Sequence, residues 1–183
     1  MPTNHLTVQL IDGDQAAAHF SELRALYTEV YADSPYGWGE DHAALFAERF
    51  EMQRSLEGFA LVEARDDNEL VGMAFGFALP ASTGWWQGLL TPVPAEATTE
   101  RSGRTFALIE LLVRAPWRRQ GIAQAMHDLL LKDRPEERAT LTALPAAAPA
   151  QAAYHKWGWQ KMSQKHNPLP GSPLFDVLVK RLN

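Results

Sequence analysis

Residues 105–113, TFALIELLV, form an unbroken run of strand-favouring residues interrupted by one carboxylate, Glu110. Nine residues bounded by polar RSGR and RAPWRR fit a buried strand better than a helix. A different period follows almost at once. Ile122, Ala125/Met126 and Leu129/Leu130 fall on one face of a helix, so 118–133, RRQGIAQAMHDLLLKD, reads as helical. A strand feeding an amphipathic helix through a short charged junction restricts the chain to a sheet covered by helices.

The remaining signals agree. LTVQLI alternates and reads as a first strand, and Phe20, Leu23, Tyr27 and Val30 continue from Asp14 at helical spacing. SPYG breaks that helix, and a second runs from Asp41 through Phe46 and Phe50 to about Leu56. FALVEA and LVGMAFGFAL, separated by RDDNE, make a hairpin. ATLTAL, WQKM and LFDVLVKRL add three strands, and PAQAAYHKWG has the proline-in, glycine-out form of a short helix. The order is β α α β β β α β α β β, an α/β (α+β) chain of about seven strands and four helices in one domain, 1–183. Residues 81–104 form a long loop with Trp85 and Trp86 near its start, and loops of that length are commonly functional.

A net charge of −5 argues against a nucleic-acid surface, which needs a basic face. The absence of cysteine excludes disulfides, thiolate-ligated zinc and a cysteine nucleophile. The six histidines show no metal-ligand spacing, so no metal is expected. MPTNHLTVQLID is unlike a signal peptide, and no apolar window approaches the length of a membrane span. The expectation is a cytoplasmic protein with no membrane partner.

The junction itself, PWRRQGIAQA, joins two arginines to a glycine and small residues where a helix begins. Helix N-termini carry unpaired N–H groups and a partial positive charge. Arg118, Arg119, Gln120, Gly121, Ile122 and Ala123 therefore read as a cradle for a diphosphate, with a plain basic helix start as the alternative. No Gly-Lys-Ser/Thr follows, and the Gly-x-Gly-x-x-Gly spacing is missing, so neither common nucleotide loop is present.

IELLVRAPWRRQGIAQAMHDLLL resembles the acyl-CoA-binding motif of the GNAT superfamily of N-acetyltransferases. Val113, Arg118, Gly121 and Ala123 carry the Val-x-x-x-x-Arg-x-x-Gly-x-Ala frame. AYHKWGW is similar to the family's Ala-x-Tyr-x-x-x-Gly-Phe ending through Tyr154, Gly158 and Trp159, and Gly72 stands where a central-strand glycine is usual. Ala123 replaces the last loop glycine, Ala147 replaces a frequent asparagine, and Ala107 stands where some members carry a catalytic glutamate. The resemblance implies a splayed, mostly antiparallel mixed sheet, with acetyl-CoA as co-substrate. It places the diphosphate on 118–123 and the pantetheine arm along backbone groups of Leu111, Leu112 and Val113. It also makes Tyr154, at the cofactor, the candidate donor of a proton to the leaving thiolate, with a core tyrosine packed under the cofactor as the alternative.

Glu110 is the candidate base, since a lone carboxylate in a buried run is costly unless paired or used. The alternative is a structural partner for an arginine or an N–H. Tyr31, Tyr36 and Trp38 lie where the resemblance puts the acceptor, and Trp85 and Trp86 are further candidates for an aromatic-lined pocket with 81–104 as lid. Packing the loops down is the alternative for each aromatic. The expected reaction is direct acetyl transfer to a primary amine, preferentially a small molecule. A protein lysine or N-terminal acetyltransferase and a non-catalytic CoA sensor are the other readings. A peptide acceptor and a homodimer are compatible with the sequence.

Overall fold

The computed structural model describes residues 5–168 and 170–182, so the reading of the first four residues lies outside them. The strands are β1 Leu6–Ile11, β2 Ala60–Asp66, β3 Glu69–Ala78, β4 Thr105–Val113, β5 Arg138–Ala143, β6 Gln160–His166 and β7 Leu174–Arg181. The helices are α1 Gly13–Ala18, α2 Phe20–Ala32, α3 Glu40–Gln53, α4 Ala95–Thr98, α5 Ile122–Leu131 and α6 Ala148–Lys156, with a 3-10 turn at Ala115–Trp117. The seven strands form one mixed, mostly antiparallel sheet in the order β1-β2-β3-β4-β5-β7-β6.

All seven expected strands are present, and β4 has the bounds read from the sequence. Six described helices replace the expected four. The helix expected from Asp14 is two helices, because His19 leaves helical geometry (φ −98°, ψ 7°) and its Nδ1 lies 2.6 Å from the buried Glu63 carboxylate. α1 starts earlier than expected, on a capping box in which Asp12 accepts from Gln15 N at 2.9 Å and Gln15 from Asp12 N at 3.0 Å. The helix expected over 118–133 spans only Ile122–Leu131, since Arg119 and Gly121 are left-handed. α4 is a single turn inside the long loop.

The chain groups into two compact units. One holds the chain up to Phe77 with Leu108–Asp133, and the other holds Ala78–Ala107 and the chain from Arg134 on. In the first, β1 and β2 pair antiparallel with Leu6 opposite Asp66, and β2 continues into β3 as a hairpin. The α2 and α3 faces close over that sheet with aromatic rings. Tyr27 stacks on Phe46 at 4.3 Å, Phe20 on Phe50 at 5.2 Å, and Phe50 meets the Phe75 edge at 5.4 Å. Leu23, Leu26, Leu61, Met73 and Leu112 complete this core. Burial of apolar area, at about 25 cal/mol per Å², is the driving term here.

In the second unit, Thr105, Phe106 and Ala107 of β4 pair in parallel with Arg138, Ala139 and Thr140 of β5. β7 pairs antiparallel with both β5 and β6, leaving β6 outermost. The stretch after β3 runs along that outer strand. Leu90 N donates to Gln164 O at 2.8 Å, Thr91 N to Ser163 Oγ at 3.1 Å, and Ser163 Oγ to Thr91 O at 3.2 Å. α6 carries Pro149 in its first turn, and its C-cap Trp157 is followed by Gly158, whose φ of +88° only glycine adopts without strain.

Candidate functional site

Glu110 and three of the candidate aromatics come together in the first unit. Tyr31 lies in the last turn of α2, and the chain then folds back on it: Tyr36 N donates to Asp33 O at 3.0 Å and Trp38 N to Tyr31 O at 2.8 Å. That turn sets Trp38 on the Tyr31 ring at 4.5 Å and Tyr36 edge-on to Tyr31 at 4.7 Å. The Tyr31 hydroxyl donates to Glu110 Oε2 at 2.5 Å, across 79 positions of sequence.

This pairing defines the electrostatics. Burial pushes the Glu110 pKa up to about 7, although the Tyr31 hydrogen bond and the Arg49 charge pull against it. Burial, then the Glu110 charge, raise Tyr31 well above the ordinary phenol range. Tyr36 is raised by burial and by Glu110, and lowered by Arg118. The result is a carboxylate that exchanges a proton near neutrality, with one oxygen held by a phenol and aromatic rings around that phenol.

The junction after β4 is built for an open helix start. Arg114 N donates to Val71 O at 2.8 Å, and Trp117 Nε1 to Asp66 Oδ2 at 2.9 Å. Arg118 Nε closes the loop on Val113 O at 2.9 Å, and Gln120 Nε2 reaches Pro116 O at 3.3 Å. Arg119 takes φ 62° and Gly121 φ 81°. Gly121 is the N-cap of α5, no side chain caps the helix, and a Cβ built on Gly121 meets nothing within 4 Å. Arg118, Arg119, Gln120 and Gly121 are exposed, whereas Ile122, Leu112 and Val113 are buried and Leu111 and Ala123 half-buried. Uncapped N–H groups, free approach and two exposed guanidinium groups suit an anion. The buried apolar side chains leave only backbone to offer.

The other candidates belong to the second unit. Tyr154 on α6 is buried, edge-on to Trp157 at 5.9 Å and to Trp159 at 6.0 Å. Trp85 donates its indole N–H to Thr140 Oγ1 at 3.2 Å, and its ring lies 4.4 Å from Lys165 Nζ. Burial lowers the Lys165 pKa to about 8. Trp86 is buried, donates to Glu100 Oε2 at 2.9 Å and carries the Arg138 guanidinium 4.7 Å over its ring. Both tryptophans thus anchor the loop in which they sit.

Two residues linked to this cluster escape the sequence reading. His42 stacks on Trp38 at 4.6 Å, and Arg49 is a cation whose charge acts on Glu110. The signal was the α3 spacing of His42, Phe46 and Arg49, one stripe of a helix read only for its apolar members. Among the described residues, no group of His, Asp or Glu is arranged to hold a metal, and no helix is long and apolar enough to cross a membrane.

The model of the acetyltransferase (GNAT) family matches residues 23–159. No curated relative matches the sequence significantly. Among solved structures, a GNAT-family acetyltransferase from Staphylococcus aureus MU50 is 16% identical with a TM-score of 0.65, covering 97% of this chain and 100% of its own. Arabidopsis thaliana NAA60, solved with a bisubstrate analogue, is 14% identical with a TM-score of 0.68, over 97% and 99%. PaiA N-acetyltransferase from Thermoplasma acidophilum, in complex with coenzyme A, is 10% identical with a TM-score of 0.61, over 96% and 98%. These structures share the fold, and the family match covers most of the sequence, motifs included: the chain belongs to the GNAT family of acetyltransferases.

Proposed function

We propose that the protein transfers an acetyl group from acetyl-CoA directly to a primary amine, with a small molecule as the preferred acceptor. The Tyr31–Glu110 hydrogen bond inside an aromatic cluster carries this reading. Acetyl-CoA supplies an electrophilic thioester carbonyl when bound. The N–H groups at the start of α5, with Arg118 and Arg119, hold its diphosphate; backbone groups of Leu111, Leu112 and Val113 hold the arm.

An alkylamine, with a pKa of ~10, reaches neutral pH protonated and must lose a proton before it attacks. The faces of Tyr31, Tyr36 and Trp38 receive the cation, and Glu110 takes its proton. Tyr31 holds the carboxylate in place throughout. Tyr154, carried over from the second motif, is the proposed donor to the departing thiolate. The chain has no cysteine, so no cysteinyl acyl-enzyme forms. A Tyr154→Phe variant is expected to lose roughly 10²-fold in kcat with KM for acetyl-CoA nearly unchanged. Unaltered kcat removes the donor role.

Thiol release from acetyl-CoA across a panel of small amines, lysine peptides and free N-terminal peptides tests the reaction. Turnover with small amines alone supports this acceptor class, turnover with peptides alone selects the protein-directed reading, and CoA binding without turnover selects the sensor. Tyr31→Phe sharpens the test. It removes the bond that lowers the Glu110 pKa, so the acidic limb of the kcat/KM profile should move upward from about 7. A limb that stays in place separates Glu110 from the proton transfer.

A further inference from the structure

The second unit contains a cleft of about 510 Å³ that none of the chemistry above uses. Four cations line it, Arg138, Lys161, Lys180 and Arg181, and no lining residue is acidic. Ala97, Met162 and Val179 give it an apolar wall. Two of the cations have carboxylate partners outside the lining: Lys161 lies 3.1 Å from Asp176, and Arg138 lies 3.5 Å from Glu100. The other two form no ion pair among the described residues. Lys180 Nζ donates to the neutral Trp157 carbonyl at 2.6 Å. Arg181 is exposed at the end of β7 and sits directly opposite Arg138 in the β5–β7 register.

Like charges facing each other across a ladder destabilise the pair unless an anion lies between them. Burial depresses the Arg138 guanidinium pKa, the Arg104 charge adds to that, and Glu100 and Glu137 only partly offset it. Gly158 opens the same wall, since a Cβ there would stand 3.2 Å from Lys180 Nζ. The volume suits a small molecule, and guanidinium with ammonium groups suit phosphate oxygens.

We infer that the cleft of Arg138, Lys161, Lys180 and Arg181 is a binding site for a small organic phosphate, with its phosphate held among these cations and its carbon body on the apolar wall. The site is separate in sequence from the α5 loop and does not depend on the acetyl-transfer reading.

Amide NMR of the full chain, titrated with phenyl phosphate and with inorganic phosphate, tests it. The Gly158, Gln160 and Arg181 amides should shift saturably, and phenyl phosphate should bind several-fold more tightly than inorganic phosphate. Arg181→Glu, at an exposed position that leaves folding intact, should weaken binding at least tenfold, and Lys180→Gln should do so independently. The proposal fails if those amides do not move, if both variants bind as the parent does, or if inorganic phosphate binds as well as phenyl phosphate. Shifts confined to Gly121 and Ile122 also overturn it.

Discussion

Glu110→Gln is expected to lower kcat by roughly 10²–10⁴-fold, the range for loss of a positioned general base. The acidic limb of the rate profile should vanish with it, because the proposed mechanism sets that limb by the Glu110 pKa of about 7. Glutamine keeps the size of the side chain and an acceptor oxygen for the Tyr31 hydroxyl, so the aromatic cluster should stay assembled. KM for acetyl-CoA should therefore change little, which separates this loss from damage at the α5 loop. Stability should move the opposite way. The folded carboxyl titrates near 7 and the unfolded one near 4.5, so the folded state binds more protons between those values. Unfolding free energy contributed by Glu110 is thus highest below about 4.5 and lost as pH rises through 7. Glu110→Gln removes that loss, and its Tm should exceed the parent's at pH 8 and match it more closely at pH 5. A variant with normal kcat and an unshifted acidic limb sinks the base role, whatever its Tm.

Gly72→Val should produce a large fall in stability. An added Cβ at this β3 position would lie 2.9 Å from Leu112 O and 2.9 Å from Met126 Cε. The first contact is strand backbone and cannot rotate away; the second is a fully buried side chain of α5. Valine adds two further methyl groups to the same space. Overpacking against backbone should cost about 3 kcal/mol or more. At ~2–4 °C per kcal/mol for a chain of this size, Tm should drop by about 6–12 °C. Any folded remainder should bind CoA poorly, because β4 and α5 flank the loop that Gly121 caps. Thermal unfolding with CoA titration checks both; a Tm within 2 °C of the parent, on the order of 1 kcal/mol or less, contradicts the close approach.

The sequence carried the strands better than the helix ends, for physical reasons visible at single residues. β4 was legible to the residue because a continuous apolar run between polar flanks has few alternatives. The start of α5 was not: arginine, glutamine and alanine are all good helix formers, and nothing local signals that Arg119 turns left-handed. The break at His19 was hidden likewise, since the apolar spacing continues across it and the Glu63 that meets His19 lies 44 positions away. For the site, local composition marked Glu110 and the family resemblance marked Tyr31, but neither could pair them, because only folding brings Tyr31 onto Glu110. Trp85 and Trp86 were read as candidate aromatics for the acceptor pocket, and in the structure their rings lie against the cations of Lys165 and Arg138.

The hydrogen bonds from Leu90 and Thr91 to the outer side of β6 bear on how copies of this protein meet. A bare outermost strand is a template on which a second chain can extend the sheet. Here that template is occupied along Ser163 and Gln164 by the protein's own loop, so growth of the sheet through β6 would first require the tryptophan-anchored segment to peel away. Crowded or warmed samples should therefore not extend the sheet through β6 for as long as Trp85 and Trp86 remain seated, and their fluorescence offers an early warning of the change.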